Sequence, residues 1–145
     1  MSLVMSVDER EAFLADLHVG VLSVAGADGR APLTVPMWYR YEPGGDVTFV
    51  TGRGSRKTDL IRRAGRCSLC AQTEEPPYRY VTVDGPATIV EGPDEAERRA
   101  IAHRYLGPER GEAYMGATAA QVEGSVVVRL RPDHWLSADF GKGQG

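Results

Sequence analysis

The sequence predicts a mainly β (α+β) protein in which six short antiparallel strands form a barrel with short flanking helices. Its 145 residues suit one domain, and short alternating apolar segments recur between turns rich in glycine and proline. The glycine-rich dinucleotide fingerprint after a first strand is missing, which disfavours a Rossmann fold. We assign residues 1–145 to one domain. Residues 1–5 are expected to be disordered or left from cloning, and residues 134–145 to form an irregular tail.

The first elements along the chain are a helix and a β-hairpin. Ser6 and Glu9 form a capping-box pattern ahead of a short apolar face, which predicts a helix over residues 7–17. Residues 19–24 and 33–41 alternate between apolar and polar side chains on either side of a glycine-containing turn. This pattern predicts two antiparallel strands that form a hairpin.

A third strand, a helix and a fourth strand are expected next. Residues 47–51 are largely β-branched and apolar, and they lead into a glycine-rich loop. Ser55 is then placed to cap a short helix, which ends before Gly65, a typical C-terminal glycine. Residues 67–72 follow this helix, and their pattern predicts another strand.

The second half of the chain adds two strands and further helix. Residues 78–90 predict a long strand that is interrupted by a bulge or bend at Gly85. Residues 93–107 begin with proline and acidic residues and end in glycine, which predicts a helix, and residues 108–115 predict one more short helix. Residues 125–131 predict the last strand.

Composition and charge argue against several classes of protein. With 42% hydrophobic and 26% charged residues, the chain is ordinary for a globular domain. A net charge of −3 differs from the basic surface that nucleic-acid binding needs. No apolar run approaches the roughly 18 residues of a membrane span, and no secretory signal is recognisable. We therefore expect a cytoplasmic protein that contacts neither nucleic acid nor membrane.

The cysteines and histidines predict neither a metal site nor a catalytic set. Cys67 and Cys70 lie in a predicted strand that points them to opposite faces, so we interpret them as small buried side chains. His18, His103 and His134 lack the spacing of zinc ligands or of a Ser-His-Asp arrangement. Because no general base is recognisable, the catalytic residue is unassigned and a cofactor is expected to supply the chemistry.

The loop before the second helix is the most informative segment. Ser55 is placed as its N-cap, Arg56 and Lys57 fall in its first turn, and Arg53 lies just before it. A helix N-terminus carries a partial positive charge, so cations there are unfavourable unless an anion is bound. Glycine-loosened helix N-termini are natural phosphate sites. We infer a phosphate site here, with a solvated basic turn as the alternative.

A second indication lies in the strand over residues 33–41. Pro36 has no amide hydrogen, so its strand is expected at a sheet edge or facing a ligand. Trp38 shares a face with Pro36, opposite the apolar stripe of the same strand. A flat heteroaromatic ring against these two residues explains the pattern, and a place in the core or in a dimer interface explains it equally.

Two motifs resemble a known family. The segment Phe49-Val-Thr-Gly-Arg-Gly-Ser-Arg-Lys57 resembles the FMN-phosphate motif of the pyridoxamine 5′-phosphate oxidase-like split β-barrel proteins. The segment Arg79-Tyr-Val-Thr-Val-Asp-Gly85 resembles a later strand of the same family. The resemblance implies a six-stranded antiparallel split β-barrel that forms a homodimer, with FMN in clefts between the subunits.

The same resemblance implies which positions contact the cofactor. The phosphate is held at the helix N-terminus, the second strand lines the ring, and the partner subunit approaches from the other side. The residues implied to hold the phosphate are Ser55, Arg56 and Lys57. Val50 and Thr51 are implied at the flavin edge, and Pro36, Met37 and Trp38 along the ring. The residues implied to approach from the partner subunit are Arg79, Tyr80 and Trp135.

The sequence departs from the oxidase in its substrate motifs. The oxidase has a basic R-x-x-L-L-K strand where this chain has residues 34–40, and its C-terminal Arg-x-His clamp has no counterpart in residues 134–139. Oxidation of pyridoxamine phosphate is therefore not expected. We expect an FMN-dependent oxidoreductase that transfers hydride between the flavin and a small organic substrate.

Two alternatives remain open. The Val-Pro-Met-Trp-Tyr segment is more similar to the branch that includes deazaflavin (F420)-dependent reductases, and the acidic tail of F420 would need further cations such as Arg53, Arg62 or Arg63. The other alternative is a split-barrel protein that binds flavin or haem without turnover. Haem would require one of the three histidines as its iron ligand.

Overall fold

An antiparallel sheet of seven strands forms the body of the protein, and the computed structural model describes residues 2–143. Met1 and residues 144–145 of the two expected tails lie outside the described residues. The strands are β1 (Gly20–Val24), β2 (Leu33–Met37), β3 (Val47–Gly52), β4 (Arg66–Gln72), β5 (Arg79–Val90), β6 (Ser125–Leu130) and β7 (His134–Asp139). The helices are α1 (Val7–Ala15), α2 (Arg56–Ala64) and α3 (Glu95–Ala117), with 3₁₀ turns at Ala119–Gln121 and Phe140–Gly143. The predicted mainly β (α+β) class is confirmed.

The strand β5 belongs to both halves of the curled sheet. The strands neighbour one another in the order β2-β1-β4-β5-β6-β3, and β7 also pairs with β5. Residues 79–84 of β5 pair with β7 and residues 80–86 pair with β4, whereas residues 87–90 pair with β6. The sheet therefore divides at Gly85 and Pro86, where the sequence predicts a bend. This division produces the predicted split barrel.

Three sequence-based boundaries differ from the structure, of which the end of α1, at Ala15 rather than residue 17, is the smallest difference. Residues 134–139 form β7 rather than an irregular tail, because the amino-terminal half of β5 offers a free edge with which their alternating side chains pair. The strand β2 ends at Met37 rather than at residue 41. Beyond it, the backbone N–H of Tyr39 donates to the hydroxyl of Tyr105 in α3, 3.0 Å away, instead of to a neighbouring strand.

The core fills the concave side of the sheet. Its largest fully buried side chains include Leu14 of α1, Leu22 of β1, Phe49 of β3 and Leu69 of β4. Tyr39 is buried with them and satisfies its hydroxyl by donating to the carbonyl of Leu14 at 2.7 Å. Buried polar groups lose their contacts with water, so this bond is what permits a tyrosine at this depth.

The two cysteines occupy alternating positions in β4. Cys67 is buried and Cys70 is half-buried, and both are free thiols. Burial raises the pKa of the Cys67 thiol to about 12, which keeps it protonated and unreactive at neutral pH. Cys67 is buried as predicted, whereas Cys70 is only half-buried, because alternate side chains of β4 face away from the core.

Residues at the amino terminus lie against β7. The N–H of Asp139 donates to the carbonyl of Leu3 at 2.8 Å, and the N–H of Met5 donates to the hydroxyl of Ser137 at 3.1 Å. Met5 is buried in the core. Among the helices of residues 2–143, none combines the length and the apolar character that a membrane crossing requires.

The division of the sheet at Gly85 generates a stability prediction. A Cβ atom at this buried position would collide with the backbone carbonyl of Arg131. We expect Gly85→Ala to lower the free energy of unfolding by about 3 kcal/mol. Urea denaturation followed by tryptophan fluorescence measures the change. The matched control is Gly116→Ala in α3, where a Cβ meets nothing within 4 Å and a small stabilisation is expected. Equal stability of both variants would contradict the assigned role of Gly85.

Candidate functional site

A cavity of about 640 Å³ opens between the sheet and α3. Five of the predicted cofactor-contacting residues line its sheet side: Pro36, Met37, Trp38, Val50 and Thr51. They come from the end of β2, the residue that follows it, and the end of β3. The two strands are not neighbours in the sheet order, and they are brought together by the curl of the sheet and by the bridge between Arg40 and Thr48. The volume lies within the range of about 300–1,000 Å³ that is usual for small-molecule sites.

The opposite wall of the cavity is formed by α3. Arg98, Ile101, Ala102 and Tyr114 of this helix line the cavity, and sequence reasoning did not assign any of them to the site. Arg98, Ile101 and Ala102 are spaced by three and four residues, so they share one face of the helix. This spacing is the signal that could have identified Arg98, whose neighbouring arginines make the segment read as a solvated surface.

Trp38 is fixed by aromatic packing against α3. Its ring stacks on Tyr105, with centroids 5.0 Å apart and planes inclined by 5°, and it also contacts Tyr114 at 5.4 Å. The Tyr105 hydroxyl donates to the carbonyl of His18 at 2.6 Å, and burial raises the pKa of this phenol. Trp38 therefore presents a rigid aromatic surface to the cavity while it packs against the helix.

The bidentate ion pair between Arg40 and Glu97 holds α3 beside the end of β2. Both carboxylate oxygens of Glu97 accept from the guanidinium of Arg40, each at 2.7 Å. The Glu97 side chain is only 6% exposed, and hydrogen bonding to it raises the pKa of Arg40. Because the pair joins the two walls of the cavity, it contributes to the width of the site.

The loop before α2 has the capped geometry that the sequence predicts. The side chain of Ser55 accepts from the N–H of Thr58 at 3.3 Å, and Gly65 ends the helix in the left-handed conformation at φ 68°. The hydroxyl of Thr58 donates to the carbonyl of Gly52 at 2.7 Å, which closes the loop. The hydroxyls of Thr51 and Ser55 lie 3.4 Å apart, so this loop begins at the rim of the cavity.

The cations around this loop differ in their partners. Arg53 and Arg62 pair with Glu91 at 3.4 and 2.5 Å. Within residues 2–143, neither Arg56 nor Lys57 has a carboxylate oxygen within 4.0 Å, although both lie in the first turn of α2. The one acid of this turn, Asp59, pairs with Arg63 at 3.1 Å, so the positive end of the helix carries two cations that no carboxylate of these residues contacts.

A second depression carries this positive charge. It measures about 420 Å³ and is lined by Arg53, Ser55, Arg56 and Arg62, together with Asp59 and Gly54. Lys57 does not line it. Of the predicted phosphate ligands, Ser55 and Arg56 are therefore brought together, with Lys57 adjacent in the same turn.

Arg79, Tyr80 and Trp135 lie elsewhere in the chain. The guanidinium of Arg79 lies 5.1 Å from the ring centroid of Phe13, and Trp135 lies under the guanidinium of Arg10 at 4.5 Å. None of the three lines the 640 Å³ cavity of its own chain. Their assignment to the site therefore stays a prediction that requires a second subunit.

The histidines are engaged away from the cavity. The Nε2 atom of His18 lies 3.0 Å from the carbonyl of Phe13, and burial lowers the pKa of His18. His103 lies 2.5 Å from a carboxylate oxygen of Glu112, and His134 is exposed on β7. No group of three or more potential metal ligands is assembled within residues 2–143.

Comparisons with known proteins agree with this architecture. A family model described as pyridoxamine 5′-phosphate oxidase matches residues 6–138. A conserved hypothetical protein from Mycobacterium tuberculosis has 28% sequence identity and a TM-score of 0.82, and the alignment covers 99% of this chain and 91% of that one. A structure named F420 reductase has 25% identity and a TM-score of 0.72, with 87% and 94% of the chains covered. An FAD-binding protein from Mesorhizobium loti shares the fold at 20% identity and a TM-score of 0.63, over 92% and 91% of the chains. A search of the curated proteins found no match.

The ion pair between the cavity walls generates a prediction. We expect Glu97→Gln to lower the free energy of unfolding by about 2 kcal/mol, because the variant leaves the charge of Arg40 without its buried partner. The loss is not larger because Arg40 is partly exposed to solvent. Differential scanning calorimetry measures it. Glu112→Gln, which removes an exposed carboxylate from Arg99, is the control and should change stability far less. Equal effects would contradict a special role for the Arg40–Glu97 pair.

Proposed function

Because the chain belongs to the pyridoxamine 5′-phosphate oxidase family, we propose that it is an FMN-binding oxidoreductase that transfers hydride between the flavin and a small organic substrate. The observation that carries this proposal is the first turn of α2, where Arg56 and Lys57 lack acidic partners within residues 2–143 beside a serine N-cap. A phosphate group at this position would neutralise the excess positive charge.

The residues present fit both parts of FMN. Ser55 contributes a hydroxyl, Arg56 a planar guanidinium with several donors, and Lys57 a mobile point charge. The rim at Thr51 connects this loop to the cavity, whose sheet side is formed by Pro36, Trp38 and other largely apolar residues. A phosphate at the loop would therefore place an attached planar ring along the cavity wall.

In the proposed mechanism the protein binds and orients rather than reacts. The flavin, when bound, supplies the hydride chemistry. Ser55, Arg56 and Lys57 hold the phosphate, Pro36 and Trp38 restrict the ring to one plane, and α3 covers the cavity from the opposite side. Covering the cavity excludes water and strengthens the electrostatic interactions within it. A catalytic acid is not assigned.

We also propose that two copies of the chain complete the site. One row of side chains crosses the convex face of five paired strands through Pro36, Val21, Cys70, Thr82 and Leu136. None of these five residues is buried, and Leu136 is 61% exposed. Pro36 and Leu136 are exposed at the two ends of the row, and the half-buried residues between them are apolar except for Thr82. Largely apolar accessible surface of this kind marks interaction sites. Pro36 also lines the cavity, so a partner on this face would lie at its margin.

An F420-dependent reductase is the second candidate. It is supported by the 25% identity to the structure named F420 reductase over 87% of the chain. Arg53 and Arg62 would supply further cations for an acidic tail, and such a tail would have to displace Glu91 from both. A protein that binds FMN but exchanges hydride with neither NAD(P)H nor reduced F420 would instead be a flavin carrier.

The phosphate site predicts a large loss of cofactor affinity on charge reversal. We expect Arg56→Glu with Lys57→Glu to weaken FMN binding at least about 100-fold, because two charge-assisted contacts become repulsive. Quenching of flavin fluorescence measures the dissociation constant, and circular dichroism verifies the fold. Arg110→Glu in α3 is the control and should retain affinity, because Arg110 is exposed and lines neither the cavity nor the depression.

Two outcomes of these titrations would contradict the phosphate site or the choice of FMN as the cofactor. Unchanged FMN affinity in the double variant would contradict the phosphate site. A wild-type protein that binds F420 and ignores FMN would assign the site to the deazaflavin instead.

The proposed interface predicts that Leu136→Glu produces a monomer. A carboxylate at the exposed end of the apolar row would be desolvated in the dimer, so association should be lost and FMN binding weakened with it. Sedimentation velocity measures the oligomeric state, with Val90→Glu as the control because Val90 is also exposed but lies outside the row. A wild-type monomer that binds FMN at full occupancy would contradict the shared site.

A further inference from the structure

Arg98 is a buried cation without a buried counter-charge. Arg98 is 7% exposed, and among residues 2–143 the other buried charged residue is Glu97. Both oxygens of Glu97 are used by Arg40, so this carboxylate does not neutralise Arg98. No carboxylate oxygen of residues 2–143 lies within 4.0 Å of the Arg98 guanidinium. Burying a charge without a partner is unfavourable, so such an arrangement is expected where a ligand supplies the partner.

The guanidinium of Arg98 keeps hydrogen-bonding capacity after its protein contacts are made. Its Nη2 atom donates to the carbonyl and hydroxyl of Thr118, and its Nη1 atom contacts the sulfur of Met115 at 3.6 Å. A thioether is a weak acceptor, and the Nε atom has no acceptor among the described residues. Thr118 is the C-cap of α3, so these contacts fix the cation at the partially negative end of the helix, while donors remain for an anion.

The position of Arg98 separates it from the proposed phosphate site. Arg98 lines the 640 Å³ cavity, on the wall formed by α3, and its guanidinium lies 5.6 Å from the ring centroid of Tyr114. Arg53 and Arg56 line the other depression, together with Ser55, and none of these three lines the cavity. The molecule thus offers two distinct positive positions, one at the helix N-terminus and one inside the cavity.

We propose that Arg98 binds an anionic group, a carboxylate in the simplest case, of the organic substrate that enters the cavity. This inference rests on the proposed function only in calling the ligand a substrate, because the cavity and the uncompensated charge exist without the cofactor. Tyr114 limits the space beside the cation, and Trp38 and Ile101 provide apolar surface, so the favoured ligands are small unsaturated or aromatic acids.

A matched pair of probes tests the charge preference directly. We would titrate the full-length protein, with and without saturating FMN, with 4-fluorocinnamate and with 4-fluorocinnamide, and follow binding by ¹⁹F NMR. The two probes differ in charge at one end and share the rest of their shape. The wild type should bind the carboxylate at least about tenfold more tightly than the amide.

Variants locate that preference. Arg98→Gln should abolish the preference for the acid, Arg98→Lys should retain part of it, and the control Arg99→Gln should leave it intact because Arg99 is paired with Glu112 outside the cavity. Equal affinities of the wild type for acid and amide would overturn the proposal, as would an undiminished preference in Arg98→Gln. Circular dichroism and thermal melting identify a variant that fails to fold, and Arg98→Lys then carries the test.

Measurements of cofactor affinity distinguish a failure of this inference from a failure of the proposed function. The ratio of FMN to riboflavin affinity should be the same in Arg98→Gln and in the wild type, because the phosphate is assigned to the α2 loop. A selective loss of FMN affinity in Arg98→Gln would place the cofactor phosphate at Arg98 and overturn the proposal. A protein that binds no FMN but prefers the acid would refute the proposed function and leave the anion site established.

Discussion

The passage of β5 through both halves of the sheet is the constraint on which the site depends. Its first part pairs with β4 and β7 and its second part with β6, so the change of partners falls at Gly85 and Pro86. The buried glycine permits the close approach of the Arg131 backbone. The turn of the sheet brings β3 beside the segment that follows β2, although four strands separate the two in the pairing order, and the bridge between Arg40 and Thr48 joins them there. Without that curl, Thr51 and Trp38 would not face one cavity.

The charged residues around the cavity fall into two groups with different physical consequences. Arg40, Arg53 and Arg62 meet carboxylates of the chain itself, and their role is to fix neighbouring elements. Arg56 and Arg98 meet none within the described residues, one at a helix N-terminus and the other on a buried wall. Positive charge that the protein does not neutralise lowers the stability of the fold. Such charge is expected at functional sites, where a bound anionic ligand neutralises it. The two unpaired positions therefore mark the two ends of the proposed site.

Patterns of residues that are close in sequence predict most of the helices and strands, whereas contacts between distant parts of the chain are not predictable from such patterns. Ser55 as an N-cap and Gly65 as a C-cap are confirmed, because capping depends on residues within a few positions of each other. The strand at residues 134–139 was missed because its pairing partner lies about 55 positions earlier in the chain. The end of β2 at Met37 has the same kind of cause, because the N–H of Tyr39 donates to the hydroxyl of Tyr105, which lies in α3, far along the chain. For Arg98 the local sequence gives only its helical face, shared with Ile101 and Ala102, whereas its burial depends on the packing of α3 against the sheet.

The electrostatics of Glu91 bear on the choice between the two cofactors. A phosphate monoester carries about two negative charges at neutral pH, which Arg56, Lys57 and the helix N-terminus suffice to balance. A cofactor with an additional acidic tail needs more cations, and the nearest ones, Arg53 and Arg62, already hold Glu91. Hydrogen bonding to Arg62 lowers the pKa of Glu91, so the carboxylate is ionised at neutral pH and competes with any acidic tail. FMN at the proposed site would leave this network intact, whereas an acidic tail held by Arg53 and Arg62 would break it, so the arrangement of charges supports the proposal of FMN.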